Sequence, residues 1–191
     1  MPVKNLYQTL EDKDNPDDVE RDGPFICDRK DAWLGRGYYF WDTFIELGHW
    51  WGNHYYGESY IICHAICDYD EHEKCYDLSI PETIQDFVDT IEAMKRRNIP
   101  LDDSTVPSVI NYLKSINQFP YIVIRANAMN TIKANDPYFK RFKIPFQTKY
   151  PAYLDLRPPY QLCFLTKKAF NLRNYRIVHP SRYTYTEGYV V

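Results

Sequence analysis

The stretch Leu34–Gly52, LGRGYYFWDTFIELGHWWG, contains the pattern from which the fold of this chain is predicted. Two glycines near its start allow an unusual backbone conformation or the close approach of a ligand. The aromatic run Tyr38–Trp41 follows, and aromatic residues favour a strand. Thr43 and Glu46 then have the spacing of a capping box, which predicts a helix directly after the strand. The predicted core face of this helix carries Phe44, Leu47 and Trp51.

This unit resembles the central motif of the ADP-ribosyltransferase-like superfamily, in the branch whose motif residues are His, Tyr and Glu. Gly35–Phe40, GRGYYF, fits the family pattern Gly-x-Gly-hydrophobic-Tyr-Phe position by position. The resemblance implies that Tyr39 stacks on the nicotinamide of NAD and that Gly37 and Tyr38 belong to the same NAD-binding motif. Trp50 falls where a second aromatic side chain closes that pocket in the family.

Two other stretches correspond to the first and third motifs of the family. Tyr7, Gln8 and Thr9 stand where the family has Tyr-His-Gly-Thr, so Gln8 replaces the histidine that binds the ribose of NAD. Gln161 begins the sequence QLCF, which matches the third motif and takes the place of its glutamate. A glutamine amide can hydrogen-bond to sugar hydroxyls, but it cannot act as a base. The resemblance therefore implies transfer of single ADP-ribose units rather than polymer formation.

The fold that the resemblance implies is α+β, with two small, mostly antiparallel sheets packed as a split barrel and helices at the side. The resemblance also implies one domain over residues 1–191, with NAD as co-substrate in the cleft between the sheets. The predicted function is NAD-dependent mono-ADP-ribosyl transfer to a protein or nucleic-acid acceptor, without a metal. The predicted catalytic residues are Tyr39 and Gln161. The predicted NAD-binding residues are Tyr7, Gln8, Thr9, Gly37, Tyr38, Tyr39 and Trp50.

Two alternatives stay open at this point. The first is a domain of the same fold that binds NAD or a partner without catalysis. The second is a nucleic-acid or protein interaction module, since the chain after Lys140 is rich in Lys, Arg and aromatic residues and only Asp155 and Glu187 oppose this charge. Bases could stack on its aromatic rings while the cations contact phosphates. The net charge of -3 gives no global attraction to nucleic acid or to an anionic membrane.

Cysteine usage and the absence of long apolar runs predict a cytoplasmic protein, or an effector delivered without a classical signal peptide. The five cysteines are odd in number, which fits reduced thiols better than a disulfide framework. No zinc site is predicted, because no pair of cysteines has the C-x2-C spacing. On a strand, Cys63 and Cys67 would share one face, and His64 would lie on the other.

Hydrophobic periodicity and breaker residues predict the remaining elements. The predicted strands are Val3–Leu10, a central strand over Ser59–Asp68, Phe119–Arg125, Gln161–Leu165, Tyr175–Val178 and Tyr183–Val191. One predicted helix begins at the capping-box pair Ser79 and Glu82 and ends at Ile99–Pro100. Its predicted core stripe is Ile84, Phe87, Val88 and Ile91. A second predicted helix covers Thr105–Ile116. Glu11–Pro24 and Ala126–Asp136 are predicted loops, and Asp136–Pro159 an irregular lid or groove wall.

Overall fold

The computed structural model describes residues 2–69, 74–99, 105–127, 136–149 and 151–184. The helices of this part are α1 (Pro16–Asp22), α2 (Ile45–Tyr56), α3 (Pro81–Arg96), α4 (Val106–Ser115) and α5 (Pro137–Lys140). Its strands are β1 (Val3–Glu11), β2 (Tyr38–Asp42), β3 (Tyr60–Asp68), β4 (Cys75–Asp77), β5 (Val123–Asn127), β6 (Lys143–Pro145), β7 (Tyr153–Asp155), β8 (Tyr160–Phe164) and β9 (Arg173–His179). Short 3₁₀ turns cover Ala169–Asn171 and Ser181–Tyr183.

Seven strands form one sheet in the order β4-β5-β8-β2-β1-β3-β9, and β6 pairs with β7 in a separate hairpin. All neighbouring strands are antiparallel except β4 and β5. The α+β class predicted from the sequence is therefore confirmed. The two sheets are very unequal rather than both small, and the described strands do not close into a barrel.

The large sheet is nearly divided between β1 and β2. Only two residue pairs, Leu6 with Asp42 and Tyr7 with Trp41, join these strands. By contrast, β1 pairs with β3 along its whole length from Val3 to Glu11. Beyond Tyr7 the backbones of β1 and β2 separate, and the Gln8 side chain reaches across to the backbone carbonyl of Tyr39, 3.3 Å away. The sheet thus has a four-stranded half and a three-stranded half that part at this point.

Hydrophobic side chains fill both faces of the sheet. On one face, Leu6, Phe40, Leu162 and Phe164 are almost completely buried in one cluster. Alternate residues of the same strands face α4, where Cys163 packs with its buried residues. This alternation explains why β8 reads as a continuous apolar run in the sequence, since a strand covered on both faces has no polar side.

Helix starts differ from the sequence prediction at two places. Neither α2 nor α3 has a side-chain cap. Thr43 instead has a φ of 66° and donates its hydroxyl hydrogen bond to Asp42. Ser79 donates to Asp77 over 2.6 Å. The N-cap positions fall one residue later, at Phe44 and Ile80, whose side chains cannot accept a hydrogen bond, so the predicted capping boxes are wrong.

The helix predicted from Thr105 is confirmed as α4, and it does begin with a capping box, formed by Thr105 and Ser108. The predicted core stripe of α3 is only partly correct, because Ile84 and Val88 are 44% and 43% exposed. The buried residue of this helix is Met94, near its end.

The acidic segment Glu11–Pro24 was predicted to be a loop, and it contains helix α1. Pro16 occupies the first turn, followed by Asp17 and Asp18, an arrangement that favours a helix N-terminus. One apolar residue, Val19, is buried against the sheet and fixes the helix there. Glu20 also accepts a hydrogen bond from the Ile177 backbone amide at 2.8 Å, so tertiary contacts hold this polar segment as a helix.

Other segments also differ in detail from the sequence prediction. β3 lies between β1 and the edge strand β9, so it is next to the edge rather than central. The segment Asp136–Pro159 contains α5 and the β6–β7 hairpin. The predicted loop Ala126–Asp136 and the predicted strand Tyr183–Val191 lie mostly outside the described residues. No described helix has both the length and the apolar character needed to cross a bilayer.

Candidate functional site

A cavity of about 300 Å³ opens where β1 and β2 separate. Four parts of the chain form its walls: the middle of β1, the segment 25–33, β2, and the last two turns of α2. Gln161 at the start of β8 completes the lining. The cavity therefore lies at the split of the sheet, where backbone pairing is interrupted.

Five of the residues predicted for the site line this one cavity: Tyr7, Gln8, Thr9, Tyr39 and Gln161. They come from three strands, β1, β2 and β8, that are neighbours in the sheet. Gly37, Tyr38 and Trp50 are not among the lining residues. The structure thus brings the three motif positions together, while their role in binding NAD stays a prediction.

Gln161 is 7% exposed, and its side-chain amide has no hydrogen-bond partner among the residues that the structure describes. Its backbone pairs with Trp41 on one side and with Ala126 on the other, which fixes the Cα position. Its nitrogen and oxygen are accessible from the cavity, since among the described residues the fully buried side-chain polar atom without a partner is the Tyr76 hydroxyl. An amide that borders a cavity and has no partner within the described protein is available to hydrogen-bond a ligand.

In contrast to Gln161, Gln8 uses the full hydrogen-bonding capacity of its side-chain amide within the protein. The Nε2 atom donates to the carbonyls of Phe25 and Tyr39 at 2.8 and 3.3 Å. The Oε1 atom accepts from the Phe25 backbone amide at 3.0 Å and from the Tyr175 hydroxyl at 2.7 Å. These are the four hydrogen bonds that a glutamine side chain can make. A ribose-binding role for Gln8 would require some of these bonds to be exchanged.

Tyr39 is a rigid part of the cavity wall. Its hydroxyl accepts a hydrogen bond from the Leu34 amide at 2.8 Å and donates one to the Gly35 carbonyl at 2.6 Å. Burial raises the pKa of this phenol far above its usual value. The ring is therefore held in one orientation and stays uncharged, so a ligand contacting it meets a pre-ordered surface.

The backbone groups of Gly37, in the predicted glycine turn, already make contacts within the protein. The amide of Gly37 donates to the Cys27 carbonyl at 3.1 Å, and its carbonyl accepts from the Cys27 amide at 2.8 Å. A Cβ atom at this position would lie 2.3 Å from the sulfur of Cys163. The glycine thus permits close contact between β2 and β8, and its backbone groups are already paired.

Tyr38 and Trp50 lie elsewhere. The Tyr38 ring packs on the opposite face of the sheet, in the cluster of Phe40 and Phe164. Trp50 lines a second cavity, of about 550 Å³, between α2 and α5, together with Glu46, His49, Asn53, His54, Asp136, Tyr138 and Phe139. A helix turns by about 100° per residue, so Trp50 and Trp51 face different cavities.

The sequence reasoning missed most of the aromatic wall of the first cavity. Trp33 and Trp51 meet edge to face with ring centroids 5.6 Å apart, and Trp51 lies 3.9 Å from Tyr55. The ring centroids of Trp41 and Trp51 are 6.0 Å apart. The spacing of Trp51 and Tyr55, four residues apart on a helix, could have indicated one shared face. The position of Trp33 has no local signal, because a non-local contact brings it there.

The charged side chains among the described residues that line this cavity lie at its rim and not in its interior. Asp28, Arg29 and Asp31 are exposed lining residues, and Arg29 pairs with Asp31 at 2.6 Å. Inside, Thr9 donates its hydroxyl to the Gly48 carbonyl at 3.1 Å. Aromatic faces and one unpaired amide are thus the groups available to a bound ring.

No arrangement for a metal ion occurs in the part of the chain that the structure describes. His, Cys, Asp and Glu side chains do not come together there in groups of three or more that could hold one. The cysteines Cys63, Cys67, Cys75 and Cys163 are buried, and burial raises the pKa of each thiol to about 12. These thiols remain protonated and serve as apolar packing groups.

Comparison with known proteins gives no match: none of the protein-family models, the curated proteins or the solved structures is similar enough to this chain to count as one. The class is therefore defined by the chain's own geometry, an α+β protein with an aromatic cavity at the split of its main sheet.

Proposed function

We propose that the cavity at the split binds the nicotinamide end of NAD, and that the protein transfers single ADP-ribose units from NAD to a macromolecular acceptor. One observation carries this proposal. The residues in the first, second and third motif positions, Gln8, Tyr39 and Gln161, line one cavity. They are far apart in the sequence, so their convergence is not a consequence of local structure.

The sheet supports the finer assignment of an ADP-ribosyltransferase-like fold. Its two halves are joined by two residue pairs, and the cavity opens where they part. The expected split barrel likewise places NAD between two groups of strands. The described strands remain an open sheet, so the resemblance concerns the split and the strand neighbours rather than closure.

The walls of the cavity suit the electronic character of NAD. The nicotinamide ring of NAD is a planar cation, and faces of Trp and Tyr rings attract such cations by about 0.5–2 kcal/mol each. Trp41, Trp51 and Tyr39 provide such rings without a buried charge. The Gln161 amide offers a donor group, its NH₂, and an acceptor atom, its oxygen, to a neutral polar group of the ligand.

The transfer can be written without a protein base. The bond between ribose C1′ and the nicotinamide nitrogen breaks, and its electron pair neutralises the pyridinium nitrogen. Nicotinamide therefore leaves as a neutral molecule and needs no proton. An acceptor carboxylate can then bond to C1′ without losing a proton, so a neutral Gln161 is compatible with the step. This chemistry favours an acidic acceptor side chain and a single transfer.

A non-catalytic NAD-binding domain is the second candidate. The saturated hydrogen bonds of Gln8 and the neutral Gln161 favour it, because neither side chain can stabilise a developing cation as strongly as a carboxylate. Among the described lining residues, the carboxylates are the exposed Asp28 and Asp31. The two candidates share the binding site and differ in turnover.

The experiment measures two quantities on the same protein. Binding of NAD is followed by the fluorescence of the tryptophans that line the cavity, and turnover by release of nicotinamide with and without cell lysate. We expect saturable quenching, and nicotinamide release that depends on lysate. The variant Gln161→Leu should weaken NAD binding about tenfold or more, because leucine is of similar size but cannot hydrogen-bond to the ligand.

Quenching without release would assign the non-catalytic candidate. Neither quenching nor release would reject NAD as the ligand. Equal NAD affinity of the wild type and Gln161→Leu would show that the cavity described here is not where NAD binds.

A further inference from the structure

The hairpin of β6 and β7 has one entirely apolar face. Ile144 and Leu154 are cross-strand partners, and two backbone hydrogen bonds, from Phe146 to Ala152 and from Leu156 to Phe142, extend the pairing at both ends. Side chains of a strand alternate between its faces. The six residues on this face are Phe142, Ile144, Phe146, Ala152, Leu154 and Leu156.

Most of this face is open to solvent. Ile144 is 51%, Phe146 69%, Leu154 50% and Leu156 37% exposed. Of the ten exposed large apolar side chains in the described residues, four lie on this one face, so they form a patch rather than scattered sites. The exposed area of the face is about 400 Å², a size at which apolar patches are commonly functional.

The base of the face is anchored and its two ends are positively charged. The half-buried Phe142 packs in the cluster of Trp41 and Trp50, which fixes the hairpin to the body of the protein. The Arg141 guanidinium lies 4.9 Å from the Phe142 ring centroid. Lys149 is exposed in the turn at the other end. An occupant of this face would therefore contact cations at both ends.

A second copy of the chain is a poor occupant. In a two-fold arrangement, Arg141 and Lys149 of each copy would approach the same residues of the other, which is unfavourable. The area is also about half of the roughly 800 Å² that each partner contributes to a stable complex.

Nucleic acid also fits the face poorly. Base stacking requires free aromatic rings, and four of the five exposed side chains of the face are aliphatic. The nearby rings of Tyr138 and Tyr153 are already covered by Arg141 at 3.9 Å and by Lys143 at 4.6 Å.

We propose that this face lies on the surface of an anionic lipid bilayer. Ile144, Phe146 and Leu154 enter the boundary between headgroups and acyl chains, and Arg141 and Lys149 contact the phosphates. A bilayer adapts to the shape of a small patch, so the area is sufficient there although it is too small for a stable protein complex. The attraction is local, which is compatible with the net charge of -3.

The test is sedimentation of the full chain with vesicles of phosphatidylcholine alone and with phosphatidylserine added. We expect binding only to the vesicles with phosphatidylserine. Phe146→Ser and Leu154→Ser should each reduce it about tenfold, because each removes apolar area that enters the membrane. Val88→Ser on α3 is the matched control, since Val88 is also a large apolar side chain and is 43% exposed; its binding should stay within about twofold of wild type.

A double variant, Arg141→Gln with Lys149→Gln, tests the charge requirement separately. It should abolish the preference for phosphatidylserine while leaving the fold intact. The proposal is wrong if the wild type binds neither kind of vesicle. It is also wrong if Phe146→Ser and Val88→Ser bind the vesicles with phosphatidylserine equally well. Binding of a synthetic acidic amphipathic peptide at Phe146, with no vesicle binding, would assign the face to a protein partner and also overturn the proposal.

Discussion

The two glutamines of the cavity show how the same residue type can have different roles. Gln8 makes four hydrogen bonds within the protein, and Gln161 makes none among the described residues. Gln8 therefore contributes to stability, and Gln161 is available for a ligand. The sequence alone assigned ribose binding to both, because it does not show which partners surround a side chain.

Replacing Gln8 with Leu tests this difference. The variant leaves the Phe25 amide and the Tyr175 hydroxyl without a partner in a buried site, and we expect a loss of about 2–4 kcal/mol in the free energy of unfolding. Urea denaturation measures this loss. The matched variant Gln161→Leu should change stability by less than about 1 kcal/mol, since no internal hydrogen bond is removed. Similar losses for both variants would contradict the assignment.

At the scale of elements, α2 contacts β3 and β9 through a histidine pair. The Nδ1 atom of His49 is 2.9 Å from the Tyr60 hydroxyl, and the rings of His49 and His179 are 4.7 Å apart. Burial, and then the charge of His179, lowers the pKa of His49. Burial, and then the charge of Arg182, lowers the pKa of His179. The folded protein therefore disfavours protonation of this pair.

The lowered pKa values predict that stability decreases in acid. Below the ordinary histidine pKa of about 6.5, the unfolded chain binds more protons than the folded chain, so the free energy of unfolding falls as pH decreases from that value. Thermal unfolding across this range measures the slope. The variant His179→Phe keeps a ring against Tyr60 and removes one titrating group, so its slope should be smaller. An unchanged slope would mean that other groups cause the pH dependence.

At the scale of the whole molecule, a buried ion network connects the two halves of the sheet. Lys4 on β1 contacts Asp42 on β2 at 3.0 Å, and this bond crosses the split. Arg125 on β5 contacts Asp42 at 3.1 Å and Asp77 on β4 at 2.9 Å. The side chains of both aspartates are 4% exposed. The network joins four strands and adds side-chain contacts beside the short backbone pairing of β1 with β2.

Removing the central cation should destabilise the fold strongly. Arg125→Met leaves two buried carboxylates near each other with one lysine, and we expect a loss of about 3–5 kcal/mol in the free energy of unfolding. Chemical denaturation measures it. The double variant Arg125→Met with Asp77→Asn should regain part of the loss, because it removes one unpaired charge and keeps an acceptor for Ser79. Absence of any regain would argue against charge burial as the cause.

Local patterns predicted much of the fold. The apolar positions between Thr105 and Ile116 predict α4, and the strand patterns predict β1, β3 and β8 close to their observed bounds. The conformation of the acidic segment of α1 was predicted wrongly, because contacts of Val19 and Glu20 with distant strands hold it as a helix. Short elements of this kind depend on packing rather than on propensity.

The sequence by itself determined the class of the fold and the positions of Tyr39 and Gln161 on strands that meet at one cavity. Only the tertiary structure decided that Gln8 is saturated and that Trp50 faces a second cavity. It also decided that Trp33 completes the aromatic wall. Periodicity fixes which face a residue occupies along its own element, whereas hydrogen-bond partners and cavity walls come from distant parts of the chain.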